Sequence, residues 1–184
     1  MKVGAIILAG GKSSRMGTDK GLLELNGKPM IVYLIETLKN ITDEIIIISN
    51  QDEYKIFGCK VYADLIKDSG PLAGIYTGLN YATYNKNIVL SCDVPFVSQQ
   101  LLQFIVASSN GYDVAIASKN NKTHQIIGVY NKKCSAIFKR ELDQNQRKVK
   151  IALEKVNLKI VDANEFDDKE FTNVNTPAEF KEIQ

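Results

Sequence analysis

A glycine-rich stretch near the start of the chain combines bare backbone with positive charge. Gly10 and Gly11 carry no side chains, so a ligand can approach their backbone N–H groups closely. Lys12, Arg15 and Lys20 follow in the same stretch. Arginine can hold phosphate oxygens through two parallel hydrogen bonds, whereas lysine acts as a point charge. These residue types predict a polyanion site that fits a nucleoside triphosphate; the alternative is a solvated surface loop.

Two better-known phosphate-binding motifs are excluded by their spacing. A Walker A loop requires G-x-x-x-x-G-K-[ST]; residues 11–13 (GKS) supply its end, but Ile6 occupies its first position. A Rossmann fingerprint requires G-x-G-x-x-G, and Gly10, Gly11 and Gly17 do not have that spacing. The stretch therefore predicts neither a P-loop ATPase nor a dehydrogenase.

A carboxylate follows a strongly apolar segment in the motif SCDVP, in which Asp93 lies just before Val94 and Pro95. Mg²⁺ prefers a few carboxylates, with substrate phosphate oxygens and retained waters completing its coordination. An aspartate at the end of a strand that faces a triphosphate matches that preference. We therefore interpret Asp93 as a magnesium ligand; the alternative is an aspartate that caps the turn before Pro95.

Other polar residues are weaker candidates. Asn50 and Asp64 also follow apolar segments and could bind a base or ribose, but spacing alone favours ordinary turn residues. Asn173 and Asn175 alternate along the chain, so in extended backbone their amides point to the same side, toward a polar acceptor or a helix cap. His124, the only histidine, lies in a polar segment and could be near the acceptor, but a surface position is the alternative and no catalytic base role is assigned to it.

Short apolar runs alternate with segments typical of helices. The predicted strands are Val3–Leu8, Glu44–Ser49, Lys60–Ala63, Asn87–Cys92, Asp113–Ser118, Ile126–Tyr130 and Leu158–Asp162. The predicted helices are Pro29–Leu38, Gly70–Tyr84, Ser98–Ser108, Lys132–Leu142, Arg147–Val156 and a terminal helix capped by Thr176. This order predicts a mainly parallel sheet covered on both faces, with ligands at the carboxyl ends of its strands. The polar segment KNNKTHQ indicates a hairpin or a loop near the site.

Length and composition indicate one domain over residues 1–184, with 45% hydrophobic residues to fill its core. The net charge of +2 argues against nucleic-acid binding and against a polybasic membrane anchor. Three scattered cysteines without a C-x-x-C pair indicate a reducing compartment. Because no apolar run is long enough for a transmembrane helix or a signal peptide, we expect a cytoplasmic protein.

Four segments in order, LAGGKSSRMGTDKGLLELNGKP, GPLAG, SCDVP and NVNTP, resemble the bacterial molybdenum cofactor guanylyltransferases. The resemblance covers nearly the whole chain. It implies a three-layer α/β/α Rossmann-like nucleotidyltransferase fold with a mostly parallel central sheet. It also implies that GTP is the donor, that Mg²⁺ is the cofactor and that a molybdopterin-type cofactor is the acceptor. The acceptor's terminal phosphate would attack the α-phosphorus of GTP, and pyrophosphate would leave.

The same resemblance implies a role for each residue that matches a family motif. The residues implied at the nucleotide are Leu8, Ala9, Gly10, Gly11, Lys20, Asn50, Asp64 and Asp93. Those implied in catalysis are Arg15 and Lys20 on the phosphates and Asp93 on the metal. Those implied at the acceptor are Asn173, Asn175 and a basic residue, Arg147 or Lys148.

Alternatives stay open at this stage. The chain could be a cytidylyltransferase for the same cofactor, or a sugar- or alditol-phosphate nucleotidyltransferase. The pattern LAGG, in place of the LAAG of similar cytidylyltransferases, favours guanine through one residue, Gly10. A non-catalytic nucleotide-binding protein is disfavoured because Arg15, Lys20 and Asp93 are all present. A partnership with other cofactor-biosynthesis or acceptor enzymes is also left open.

Overall fold

The computed structural model describes residues 2–10 and 19–174 of the chain. Among these residues no helix is long and apolar enough to cross a membrane. Several sequence-based predictions lie outside them: those for Gly11, Lys12, Arg15, Asn175 and the helix after Thr176.

Nine strands and five α-helices lie within the described ranges. The strands are β1 (Gly4–Leu8), β2 (Glu24–Leu25), β3 (Lys28–Pro29), β4 (Ile45–Ile48), β5 (Lys60–Tyr62), β6 (Lys86–Ser91), β7 (Val114–Lys119), β8 (Lys122–Asn131) and β9 (Leu158–Asp162). The helices are α1 (Met30–Lys39), α2 (Gly70–Tyr81), α3 (Gln99–Ser108), α4 (Ser135–Asp143) and α5 (Val149–Leu153). Short 3₁₀ helices are formed by Lys20–Leu22, Asp52–Phe57, Lys132–Cys134 and Asp168–Phe171.

Seven strands form one sheet in the order β5-β4-β1-β6-β8-β7-β9. Only β8 runs antiparallel to its neighbours, β6 and β7; the other neighbouring strands are parallel. The chain first builds outward from β1 through β4 to β5, and then returns to the other side of β1 with β6. Ligands of open α/β sheets bind where the strand order reverses in this way, at the carboxyl ends of the strands. The predicted, mostly parallel sheet is confirmed.

The alternation of side chains along β1 explains why helices cover both faces of the sheet. Ala5 and Ile7 pack into a core that contains the buried faces of α1 and α3. Ile6 and Leu8 pack into a second core with α2, α4 and α5. Each fully buried isoleucine contributes about 1.5–3 kcal/mol. These two cores give the three-layer architecture that the sequence predicts.

The predicted boundaries of helices and strands are close to the observed ones, and the differences have local causes. Helix α3 begins after Ser98, whose hydroxyl accepts a hydrogen bond from the Leu101 N–H at 3.1 Å, as its predicted cap requires. The polar segment KNNKTHQ belongs mostly to the β7–β8 hairpin, so β8 begins at Lys122 and not at Ile126. Its turn residues, Asn120 and Asn121, have φ values of 51° and 62°. Asparagine tolerates this left-handed conformation, which suits a two-residue hairpin turn.

A second hairpin, β2–β3, was not predicted, although its turn carries a clear signal. Asn26 and Gly27 have φ values of 52° and 73°, and Asn-Gly is the preferred pair for such a turn. The hairpin buries Leu25 against Met30 and Val174, and this third apolar cluster lies apart from the two main cores. It therefore connects the region after the glycine-rich stretch to the last described residue.

Glu44 is a buried carboxylate just before β4, at the edge of the sheet opposite the strand carboxyl ends. Thr83 donates to it twice, from its backbone N–H at 2.9 Å and from its hydroxyl at 2.6 Å, and the Lys60 ammonium lies 3.6 Å away. Burial alone would raise the pKa of Glu44, but the Thr83 hydrogen bonds and the Lys60 charge together hold it below 4.5. The ionised carboxylate therefore ties β4 to the segment that follows α2.

Glu44→Gln is expected to lower the free energy of unfolding near neutral pH by about 1–3 kcal/mol, because a neutral amide replaces a hydrogen-bonded carboxylate. A lowered folded-state pKa stabilises the fold above the unfolded-state pKa, and that stabilisation is lost as pH falls through the folded-state value. Urea unfolding at several pH values should thus show the difference from wild type shrinking in acid, as pH falls through the lowered pKa of Glu44. Glu53→Gln, at an exposed position, is the control. A difference that is constant with pH would contradict this role.

Candidate active site

The residues that follow β1 present backbone rather than side chains. Leu8 and Ala9 are buried; the Ala9 N–H donates to the Ile48 carbonyl at 2.9 Å, and the Leu8 carbonyl accepts from the Cys92 N–H at 3.0 Å. Gly10 is exposed, and a Cβ placed there would come no closer than 3.9 Å to any described atom. Packing among the described residues therefore does not require glycine at this position. A ligand that approaches the backbone closely would require it.

A cleft of about 390 Å³ opens beside Gly10 at the carboxyl ends of β1, β4 and β5. We call it the first cleft; Gly10, Asp19, Asn50, Asp64 and the loop 68–70 are among its lining residues. The structure thus brings together Gly10, Asn50 and Asp64, three of the residues predicted at the nucleotide. Gly10 and Asp64 are 54 positions apart in the sequence. The carboxyl ends of neighbouring parallel strands produce this convergence.

Asn50 and Asp64 hold each other across the first cleft. The Asn50 amide nitrogen lies 3.5 Å from Asp64 Oδ2, and the Asp64 backbone N–H donates to the Asn50 side-chain oxygen at 3.2 Å. Among the described residues Asp64 Oδ1 is buried without a hydrogen-bond partner. Burial raises the pKa of Asp64, and the Asn50 hydrogen bond opposes that rise. A buried acceptor without a partner costs about 1–3 kcal/mol, which a donor on a ligand would recover.

Lys20 begins a 3₁₀ helix that is held by a buried network. Asp19 caps this helix by accepting from the Gly21 N–H at 3.0 Å, and the hydroxyl of fully buried Tyr54 donates to the same Asp19 oxygen. A Cβ on Gly21 would lie 2.5 Å from the Tyr54 hydroxyl and 3.2 Å from Cys92 Cβ, so no larger residue fits. The roles of Asp19 and Tyr54 are not predictable from the sequence, because a contact between distant residues leaves no local pattern.

The Lys20 charge lies near the strand end that carries Asp93. Burial raises the pKa of the Cys92 thiol, Asp93 and Asp19 raise it further, and the Lys20 ammonium opposes these effects. Gly21, which follows Lys20, packs against Cys92, which precedes Asp93, so the segments that carry the predicted cation and the predicted metal ligand are in contact. The structure therefore places Lys20 near the strand end that carries Asp93, and Asp19, which precedes Lys20, lines the first cleft.

Asp93 lines a second cleft of about 310 Å³, together with Ser91, His124, Gln125 and Asn173. The Val174 N–H donates to the Asp93 carbonyl at 2.8 Å, which fixes Asn173 beside the end of β6. Asp93 Oδ1 is buried and has no hydrogen-bond partner among the described residues. Asn173, predicted at the acceptor, therefore lies in the second cleft together with Asp93.

Arg147 lies elsewhere. Its guanidinium donates to the Asp68 carbonyl at 3.1 Å, at the edge of the first cleft. Asp68 and Gly70 both have positive φ values, 55° and 70°, so this contact supports a loop with an unusual backbone. The structure therefore places Arg147 beside the first cleft and Asn173 in the second, although both were predicted at the acceptor.

Comparison with known proteins bears on what these clefts do. A family model for the MobA-like NTP transferase domain matches residues 5–157. The chain belongs to this family. It is accordingly a nucleotidyltransferase, and the sequence-based assignment to the family is confirmed.

Relatives of this MobA-like transferase span almost its entire length. A probable molybdenum cofactor guanylyltransferase from Flavobacterium johnsoniae is 35% identical over 96% of this chain and 94% of its own. A molybdenum cofactor guanylyltransferase from Vibrio campbellii is also 35% identical, over 97% and 93%. The crystal structure of a putative protein from Aquifex aeolicus superimposes with a TM-score of 0.82 at 28% identity, covering 95% and 94% of the two chains.

More distant structures support the fold. A molybdopterin-guanine dinucleotide biosynthesis protein A from Archaeoglobus fulgidus has a TM-score of 0.82 at 24% identity, over 99% of this chain and 96% of that one. At that identity the likeness establishes the shared Rossmann-like nucleotidyltransferase architecture. The predicted fold class is thus confirmed from strand order and from structural neighbours alike.

Proposed function

We propose that this MobA-like transferase transfers GMP from GTP to the terminal phosphate of a molybdenum–molybdopterin cofactor. The products are the molybdopterin guanine dinucleotide cofactor and pyrophosphate. The observation that carries the proposal is the near-complete coverage of relatives named for that reaction, at up to 35% identity. Two separate clefts, the second of which contains Asp93, support it, because a transferase of this kind must hold a donor and an acceptor together.

The first cleft is proposed as the GTP site. Gly10 would let the nucleotide approach the backbone after β1, where Leu8 and Ala9 are held by hydrogen bonds to neighbouring strands. Asn50 and Asp64 would receive the guanosine part. A carboxylate suits guanine, whose ring N–H and amino group lie side by side as hydrogen-bond donors. The unpartnered Asp64 Oδ1 supports this assignment.

The phosphate groups would lie toward Lys20 and Asp93. Transfer between phosphates needs no covalent nucleophile, because the acceptor phosphate is already ionised and supplies the attacking oxygen. That oxygen forms a bond to the α-phosphorus of GTP, the bond from the α-phosphorus to the bridging oxygen breaks, and pyrophosphate leaves. Lys20, with Arg15 from the undescribed part of the glycine-rich stretch, would balance the charge on the transferring and leaving phosphates.

Asp93 is proposed as the protein ligand of Mg²⁺. No group of three histidine, cysteine or acidic residues that could hold a metal occurs in the described part of the chain. A magnesium ion that takes most of its ligands from phosphates and water fits this single carboxylate, and the buried, unpartnered Oδ1 fits a cation. When bound, the ion would neutralise phosphate charge. Asn173 would then bind the acceptor in the second cleft, with Asn175 from the undescribed terminus as a further proposed contact. Arg147 lies beside the first cleft, so its position does not support a contact with an acceptor bound in the second.

Calorimetry with GTP, CTP, ATP and UTP, each with Mg²⁺, tests the donor. Selective GTP binding followed by pyrophosphate release on addition of molybdenum–molybdopterin is the expected result. A preference for CTP would indicate a cytidylyltransferase that uses the same site. Absence of nucleotide binding, with and without acceptor, would favour a non-catalytic protein.

Asp64→Asn is expected to weaken GTP binding by about ten-fold, because an amide N–H₂ replaces one of the carboxylate acceptors. Calorimetric titration of the variant with Mg·GTP measures the change. Asp52→Asn, at an exposed carboxylate outside the cleft, is the matched control. Wild-type affinity in Asp64→Asn would remove Asp64 from the nucleotide site.

A further inference from the structure

His124 reaches the active-site edge because β8 is reversed. The other six strands of the sheet end at that edge, whereas β8, as the antiparallel strand, begins there. The amino-terminal residues of β8 therefore meet the carboxyl ends of β6 and β7. The sequence indicates that the segment KNNKTHQ is a hairpin or a loop near the site, and the strand order explains why His124 lines the same cleft as Asp93.

A register shift in the pairing of β7 with β8 changes the direction of the amino-terminal end of β8. Ala117 pairs with His124, but the preceding residue, Ile116, pairs with Gly128. The residues 125–127 thus have no partner on β7, and the register shifts between the two pairs. Bulges of this kind bend a strand and re-aim its side chains, and they are common next to active sites.

Packing then holds the imidazole at the wall of the second cleft. The His124 ring lies 4.9 Å from the ring of Phe171 at an interplanar angle of 52°. Phe171 is buried and lies two residues before Asn173, which lines the same cleft. Such a tilted aromatic contact fixes ring orientation at little cost in flexibility. Burial lowers the pKa of His124, and the Lys122 charge lowers it further.

The two ring nitrogens of His124 make no hydrogen bond within the part of the chain that the structure describes. The side chains beside it in the cleft, those of Lys122, Thr123, Gln125 and Asn173, all carry hydrogen-bond donors. A cleft wall rich in donors and containing one carboxylate, Asp93, suits a polar ligand with acceptor oxygens, such as a phosphate ester.

We propose that His124 binds the phosphorylated acceptor, donating a hydrogen bond from a ring nitrogen in the second cleft. This inference rests on the proposed function, because it assigns the second cleft to the acceptor. It adds a contact from β8 to the one expected from Asn173. The acceptor is thereby held from two elements that meet only in the folded protein.

Two substitutions separate hydrogen bonding from packing. His124→Phe keeps an aromatic ring against Phe171 but removes both nitrogens, whereas His124→Gln keeps a donor and loses the ring. With GTP saturating, we expect His124→Phe to raise the KM for molybdenum–molybdopterin by about ten-fold or more, the loss of one hydrogen bond to a charged group. His124→Gln should recover part of that loss. Calorimetry should show unchanged GTP affinity for both variants, which also establishes that they are folded.

The outcomes are distinct. A wild-type KM in His124→Phe would overturn the inference. A loss of GTP affinity in both variants would also overturn it, because it would show that the role of His124 is purely structural. A fall in kcat alone, reversed by excess Mg²⁺, would also overturn it, by indicating a metal ligand. Wild-type protein that binds GTP but transfers nothing to this acceptor would refute the proposed function first, and the His124 assignment with it.

Discussion

Asp93→Ala is expected to lower kcat for nucleotidyl transfer by at least about 1,000-fold while the protein stays folded, because the variant loses the proposed anchor of the metal. The Val174 N–H bonds to the backbone carbonyl of Asp93, not to its side chain, so the substitution leaves that contact in place. The carboxylate Oδ1 makes no hydrogen bond to the described residues, so no internal donor is left without a partner. Activity and stability should therefore separate.

Single-turnover transfer from radiolabelled GTP, measured with increasing Mg²⁺, would quantify the loss in Asp93→Ala. Thermal unfolding should move by only a few degrees, as for a substitution without a new buried polar group. Asp143→Ala, which removes an exposed carboxylate paired with Lys139 on α4, is the matched control. Turnover close to wild type in Asp93→Ala would remove the metal assignment.

Asp19→Ala should have a large effect of a different kind, lowering both stability and kcat. Its carboxylate is the acceptor for the Gly21 N–H and for the Tyr54 hydroxyl, and Tyr54 is fully buried. Burial raises the pKa of Tyr54, with Cys92 and Asp19 adding to the rise, so this hydroxyl stays protonated and needs an acceptor. Leaving these donors without a partner should cost about 2–4 kcal/mol of unfolding free energy.

The effect of Asp19→Ala on kcat should come through Lys20, whose helix begins at this cap. Tyr54→Phe provides a milder comparison, because Asp19 then keeps its bond to the Gly21 N–H. In a double-mutant cycle followed by urea unfolding, Tyr54→Phe should cost much less in the Asp19→Ala background than in wild type. Additive costs would show that the hydroxyl and the carboxylate do not depend on each other.

The sequence predicts best the elements whose limits depend on local features. Strand β9 has its predicted limits, Leu158–Asp162, and α3 begins at its predicted cap. Both depend on local features, three apolar residues among five in β9 and a serine hydroxyl at the start of α3, although only Val161 of β9 is buried. The predicted helix Arg147–Val156 is shortened at both ends to α5, because Lys148 is extended and the chain turns after Leu153.

The candidate site was predictable to the extent that its chemistry lies in short motifs. Gly10, Lys20 and Asp93 were found from residue type and position after apolar runs. The Asp19–Tyr54 hydrogen bond joins residues 35 positions apart, and no local pattern encodes it. The position of His124 depends on β8 running against its neighbours and on a shift of register. Those are properties of the assembled sheet, which composition and spacing do not specify.

The small cluster of Leu25, Met30 and Val174 allows the second cleft to open or close without unfolding of the two main cores. It holds the segment that carries Asn173, yet it shares no buried member with either main core. A cluster of that size can open while both cores stay closed, as a local fluctuation of lower free energy than global unfolding. Amide hydrogen exchange at Val174 would then report the integrity of the second cleft, to which melting temperature is insensitive. If substrate slows that exchange, the slowing measures how much the bound ligand stabilises the closed form of the second cleft.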